Sequence, residues 1–160
     1  MEMRGEATLT IAAAPDAIYG LISDITRMGE WSPECIGCDW MDGHDKAVVG
    51  AQFHGHNRND SNAWTTPNTI VVADEGREFA WVVGRPDFVV CSWRFVFEPN
   101  GTGTKVTESF QLGDREVGFG EALAKAEPEQ RTTMIEHRTK QLVEGMNHTL
   151  ERLKAAAEGT

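Results

Sequence analysis

The last stretch of the chain, residues 128–157, carries an unbroken helical pattern that follows six strand-like segments. At about 1.5 Å per residue such a helix is roughly 40 Å long, whereas a strand of about eight residues reaches only ~26 Å. One helix of this length crosses a sheet from edge to edge. A sheet that bends around it need not touch it everywhere, so the pattern implies a long helix gripped by a curved sheet with space for a cavity between them.

The rest of the chain supplies that sheet. Residues 8–12 read as a short strand, and Pro15 opens a helix at a favoured position, with Ile18, Leu21, Ile22 and Ile25 on one apolar stripe. A helical turn over 27–31 ends at Ser32-Pro33, because the residue before proline is pushed out of the helical region. Strands are then expected at 35–41, 51–58, 63–73, 78–84, 89–98 and 105–112, separated by Gly, Asp and Asn. Short connections make these antiparallel hairpins. Gly50 and Gly55 interrupt the second of them, where a bend would curl the sheet. Residues 113–127 break the rhythm and read as a loop with a helical turn or more, placed with residues 31–34 to gate a cavity mouth.

In the closing helix Ile135, Leu142, Met146, Thr149, Leu153 and Ala156 form one stripe. Gly145 lies within it at a cost of about 1 kcal/mol relative to alanine, which close packing or room for a ligand would explain, packing being the simpler account.

Composition narrows the function. A chain of 160 residues suits one domain, here residues 1–160. A net charge of −10 opposes nucleic-acid binding, which depends on Lys and Arg neutralising phosphates. Three cysteines without a secretory signal suggest a reducing cytoplasm, and no apolar run approaches the ~20 residues of a membrane span. The sequence implies no cofactor and no metal site, and leaves the oligomeric state open.

Order and residues together resemble the START-like (SRPBCC) superfamily, in its polyketide cyclase/dehydrase and lipid-transport branch. The resemblance runs through Ser23-Asp24-Ile25 to Glu34-Cys35, then Gly50-Ala51-Gln52-Phe53-His54-Gly55-His56-Asn57, Gly76-Arg77-Glu78-Phe79-Ala80-Trp81, Gly103-Thr104-Lys105-Val106-Thr107-Glu108-Ser109 and Thr149-Leu150-Glu151-Arg152-Leu153-Lys154. It implies the α+β helix-grip fold, β-α-α-β6-α, with a hydrophobic cavity between sheet and C-terminal helix. Fold alone supplies no reaction.

Strand alternation nominates the cavity wall. Trp93, Phe95 and Phe97 share one face, as do Phe79, Trp81 and Val83; Phe53, Gly55 and Asn57; and Trp64, Thr66, Asn68, Ile70 and Val72. Trp31, Leu142 and Met146 approach from the helices. A mostly apolar wall with sparse amides and hydroxyls suits a hydrophobic ligand such as a polyketide, aromatic metabolite or lipid. The same alternation turns Glu108 inward beside Val106 and Phe110. Burial would raise its pKa and fit it for acid–base work on an enolisable substrate, as in a cyclase or dehydratase. A structural ion pair or hydrogen bond, with Arg138 or Asn57, is the simpler account of the position. A protein-interaction module is a further alternative, and would need a large exposed apolar patch.

Other motifs have simpler explanations. His54 and His56 share a face with Gln52 and Arg58, opposite Phe53, as a solvated outer surface would. Cys35-Ile36-Gly37-Cys38 is a CxxC, but regular alternation puts its thiols on opposite faces, so it reads as structural. Asn100-Gly101-Thr102-Gly103 joins two strands and reads as a hairpin turn rather than a phosphate loop.

Overall fold

The computed structural model describes residues 2–159. Seven strands form one antiparallel sheet in the order β1-β7-β6-β5-β4-β3-β2. They are β1 (Arg4–Ile11), β2 (Cys35–Trp40), β3 (Gln52–Arg58), β4 (Ala63–Asp74), β5 (Glu78–Arg85), β6 (Phe88–Asn100) and β7 (Gly103–Leu112). Each strand from β2 to β7 pairs with the next, and only β1 crosses over, to lie beside β7. The sheet curls into a half-barrel around the C-terminal helix, which is the helix-grip arrangement.

The helices are α1 (Pro15–Ser23), α2 (Met28–Trp31), α3 (Phe119–Lys125) and α4 (Pro128–Glu158), with a 3-10 turn at Ile25–Arg27. Pro15 stands in the first turn of α1, whose missing N–H would have no intrahelical partner anyway. Asp24 accepts from the Thr26 backbone N–H and begins the 3-10 turn. At the start of α4, Glu127 and Gln130 each accept from the other's backbone N–H, so a helix of 31 residues begins from a reciprocal cap. No helix among the described residues is long and apolar enough to cross a membrane.

The expected elements are present, with adjustments. The first strand starts at Arg4 rather than at residue 8, and residues 113–127 contain α3. Residues Gly101 and Thr102 make the turn between β6 and β7. The strand irregularities fall between Cys35 and Gly37, between Ile70 and Val72, and between Val83 and Gly84. Gly55, by contrast, keeps regular register with both Cys38 and Thr66. The β4 bulge changes the phase of that strand: Ile70 faces Trp81, whereas Val72 lies opposite Ala80 and Ala73 opposite Phe79. Val72 therefore leaves the face it was expected to share with Ile70, and Ala73 takes its place.

The core lies between the concave face and the helices. Ile18, Ile22 and Ile25 are buried from one side, Phe79, Phe95, Phe97 and Val106 from the sheet, and Met146, Leu150 and Leu153 from α4. Tyr19 closes this layer with edge-on contacts to Phe79 and Phe97 at ring separations of 5.9 and 5.8 Å.

Candidate functional site

Packing between sheet and helix is uneven along α4. On each inner strand the side chains near Tyr19 are fully buried, and those at the other end are only half-buried. Phe97 and Phe95 are buried and Trp93 is not; Phe79 and Trp81 are buried and Val83 is not; Val106 and Phe110 are buried and Leu112 is not. On α4 the same change runs from Leu153, Leu150 and Met146, all buried, to half-buried Leu142. The interface is therefore closed to water at one end and partly open to solvent at the other.

An aromatic band crosses the concave face, with Phe53, Trp81 and Phe110 buried and Trp40 and Trp93 half-buried. Trp40 meets Phe53 at 6.1 Å, Phe53 meets Trp81 at 6.1 Å, Trp81 stacks on Trp93 at 6.4 Å, and Trp93 meets Phe110 at 5.6 Å. Ring pairs at such separations gain attraction beyond area burial; Phe53 meets both its neighbours edge-on, at 75° and 66°, whereas Trp81 and Trp93 lie nearly parallel at 18°. Trp40 was not among the residues expected here; its pairing with Phe53 across β2 and β3 puts it on this face.

Beside the band, β3 and β4 contribute a polar patch. Asn68 donates through Nδ2 to the backbone oxygens of Phe53 and Thr66, and Thr66 Oγ1 donates to Asn68 Oδ1 at 3.3 Å. Asn57 Nδ2 donates to the Gly55 carbonyl at 3.2 Å. A Cβ on Gly55 would stand 3.0 Å from Asn68 Nδ2 and 3.3 Å from Thr66 Oγ1, so the missing side chain makes room for these polar groups. Trp64 is half-buried near the start of β4, on the same face as Thr66.

Glu108 lies at the centre of β7, opposite Phe95 on one side and Ala7 on the other. It is 6% exposed, and its Oε1 is buried without a hydrogen-bond partner. Loss of hydration holds its carboxyl well above the ordinary carboxylate range, so the neutral acid is the favoured form. Neither of the structural partners weighed from sequence reaches it. Arg138 instead makes a two-pronged ion pair with Glu34 at 2.7 and 2.8 Å, and Asn57 bonds its own strand. Trp31 Nε1 is the other buried side-chain polar atom without a partner among the described residues.

Several bonds fasten the segments that flank α4. Pro33 lies where a Cβ on Gly145 of α4 would touch it at 3.6 Å, and Ser32 Oγ accepts from the backbone N–H groups of Glu34 and Cys35. Arg131 on α4 donates to the carbonyls of Leu123 and Ala126 and so fastens α3. The Arg115 guanidinium covers the Phe88 ring at 4.5 Å. Two open hollows lie along α4, one between β1 and residues such as Ile135, Thr139 and Val143, the other beside Gln130 and Met134. None of the residues expected to wall a cavity lines either hollow.

The remaining motifs fall as follows. His54 and His56 are on the convex face as expected, where both approach Asp39 of β2, and His56 Nδ1 lies 3.0 Å from Thr65 Oγ1. No metal-holding group of His, Cys, Asp and Glu occurs among the described residues. The CxxC departs from expectation. The bulge between Cys35 and Gly37 brings both thiols to the concave face, 3.4 Å apart.

The chain matches, over residues 3–158, the family described as polyketide cyclase / dehydrase and lipid transport. Among solved structures it is similar to the polyketide-cyclase-like protein Cgl2372 from Corynebacterium glutamicum, with 32% identity, a TM-score of 0.69, and coverage of 99% of this chain and 93% of that one. It also superposes on the di-domain ARO/CYC StfQ from the steffimycin biosynthetic pathway, with a TM-score of 0.74 and 15% identity over 99% of this chain and 51% of that one. A START superfamily protein from Mycobacterium smegmatis gives a TM-score of 0.67 at 15% identity, covering 98% of each chain. At such identities the last two speak for the fold alone. No curated protein matches the sequence.

Proposed function

The chain belongs to the polyketide cyclase/dehydrase and lipid-transport family, and from that premise we propose that it binds a hydrophobic small molecule between the concave face and α4, at the partly exposed end. The observation that carries this reading is a buried, unpartnered carboxyl at the inner edge of an aromatic band whose outer members remain half-exposed. A flat apolar ligand gains by covering Trp93 and Leu142, at about 25 cal/mol per Å2 of apolar surface removed from water. Glu108, as a neutral acid, donates its O–H to a ligand carbonyl or accepts from a ligand hydroxyl, which would relieve its missing hydrogen bond. A polyketide or a hydroxylated aromatic metabolite offers both groups, and a lipid with one buried polar function offers one.

Native mass spectrometry of freshly purified protein, compared with denatured and extracted protein, tests this directly. An apolar compound that leaves only on denaturation, together with quenching of tryptophan emission when it is added back, is the expected result. Failure of the folded protein to bind any of a panel of polycyclic phenols and fatty acids, with emission unchanged, would overturn it.

A second reading rests on Glu108 alone. A carboxyl kept protonated by burial is poised to give and take protons, so a cyclase or dehydratase could use it as general acid and base on an enolisable chain laid against the aromatic band. Glu108→Gln should then abolish turnover while ligand affinity stays within a few-fold, and unchanged turnover would exclude the role.

A further inference from the structure

The dithiol of β2 is separate from the site described above in its chemistry. Cys35 and Cys38 are three residues apart, a spacing that regular strand alternation would split between two faces. The bulge removes that separation: Cys35 lies opposite Asn57 and Cys38 opposite Gly55, so both side chains turn to the concave side and pack at the margin of the core. Their sulfurs are 3.4 Å apart, and Cys35 Sγ also lies 3.4 Å from the Gly37 carbonyl oxygen. Both residues are free thiols and half-buried, on the strand at the edge of the sheet. A sulfur–sulfur bond is about 2.05 Å long, so closing the pair requires an approach of only about 1.4 Å.

The environment also makes the two thiols unequal. A hydrogen bond from Cys38 lowers the pKa of Cys35, with the nearby His56 adding to the effect. That same bond, together with burial, raises the pKa of Cys38. Cys35 is thus the thiol that ionises first and Cys38 the one that keeps its proton, a division suited to attack followed by resolution. The third cysteine, Cys91 on β6, is pushed up to about 12 by burial.

We propose that Cys35 and Cys38 form a site of reversible oxidation that closes to an intramolecular disulfide on reaction with a hydroperoxide. The Cys35 thiolate attacks one peroxide oxygen, the O–O bond breaks, and Cys35 becomes a sulfenic acid as the second oxygen leaves with a proton as water or alcohol. The Cys38 sulfur then attacks the Cys35 sulfur; the S–O bond breaks, the S–S bond forms, and the departing hydroxide takes the Cys38 proton as water. Two thiols lose two electrons and two protons, and the peroxide is reduced by the same two electrons. A thiol reductant reverses the change.

Hydrogen peroxide is the probe. Reduced, desalted protein is treated with it, alkylated without reduction and digested with trypsin, which leaves Cys35 and Cys38 together in the peptide spanning residues 28–46. The expected product is that peptide unalkylated and lighter by two hydrogens, restored by a thiol reductant, while the Cys91 peptide stays fully alkylated. Cys35→Ser should abolish the loss of two hydrogens, and Cys38→Ser should leave a sulfenic acid on Cys35 that dimedone captures. Alkylation of Cys35 and Cys38 to the same extent as Cys91 would overturn the proposal. So would over-oxidation without a disulfide, or a disulfide that links two chains.

Discussion

At the scale of single residues, Glu108 is a buried acid without a hydrogen-bond partner for its Oε1. Its folded-state pKa lies above the ordinary value of 4.5 because burial disfavours the charge. The sign of the consequence follows from linkage. Below the ordinary value the acid is protonated in both folded and unfolded chains and costs nothing; as pH rises past it, only the unfolded chain ionises, and stability falls until the folded carboxyl also titrates. Within that window the decline is about 1.4 kcal/mol per pH unit. Glu108→Gln keeps the shape and removes the titration. Urea unfolding from about pH 4 to about pH 8 should therefore show wild type losing stability that the variant keeps, a difference above ~1 kcal/mol at neutrality. Superimposable profiles would mean that the carboxyl stays hydrated or paired in the folded protein.

At the scale of elements, Gly145 sets a similar question for α4. An alanine there would meet only Pro33 Cγ, at 3.6 Å, which is ordinary contact. Tight packing therefore does not explain the glycine, contrary to the simpler expectation from sequence. Gly145→Ala should raise stability by about 0.5–1 kcal/mol through helix propensity, read as a shifted urea midpoint at constant slope. Destabilisation would instead reveal a close approach of Pro33. The order of elements was legible from periodicity because hairpins and a long amphipathic helix leave strong local patterns. The inward phase of Phe53, Trp93, Phe95 and Glu108 was legible for the same reason: each lies in a strand stretch without a bulge. Two bulges decided what was not. One extra residue at Ile36 brings Cys35 and Cys38 to the same face, and another at Val71 turns Val72 outward. A bulge leaves no trace in alternation, and Gly37 beside the first was the one local signal that could have marked it. The partner of Arg138 was hidden too, since Glu34 lies far from it in sequence and meets it only when α2 and α4 converge.

For the whole molecule, the gradient of packing separates what holds the fold from what is left for a ligand. Side chains at the Tyr19 end are buried, Leu150 and Leu153 fully so, and removing methyl groups there leaves a cavity that neighbours close only in part. Leu150→Ala should cost about 2–5 kcal/mol. Leu142, about two turns of α4 closer to the open end, is half-buried, and water or neighbouring side chains can take up the space it leaves. Leu142→Ala should cost about 1 kcal/mol or less. Binding is expected to rank in the opposite sense. For an apolar fluorescent probe such as anilinonaphthalene sulfonate, Leu142→Ala and Trp93→Ala should weaken affinity several-fold, whereas Leu150→Ala, studied where it remains folded, should leave it within about two-fold. Urea unfolding and probe titration on the same preparations give both numbers. If the two orders coincide, one uniform core serves the whole gap, and the ligand must be sought at the outer hollow between β1 and α4. If they diverge as expected, α4 is divided near Met146 into a half that anchors the sheet and a half whose incomplete burial is the binding surface itself.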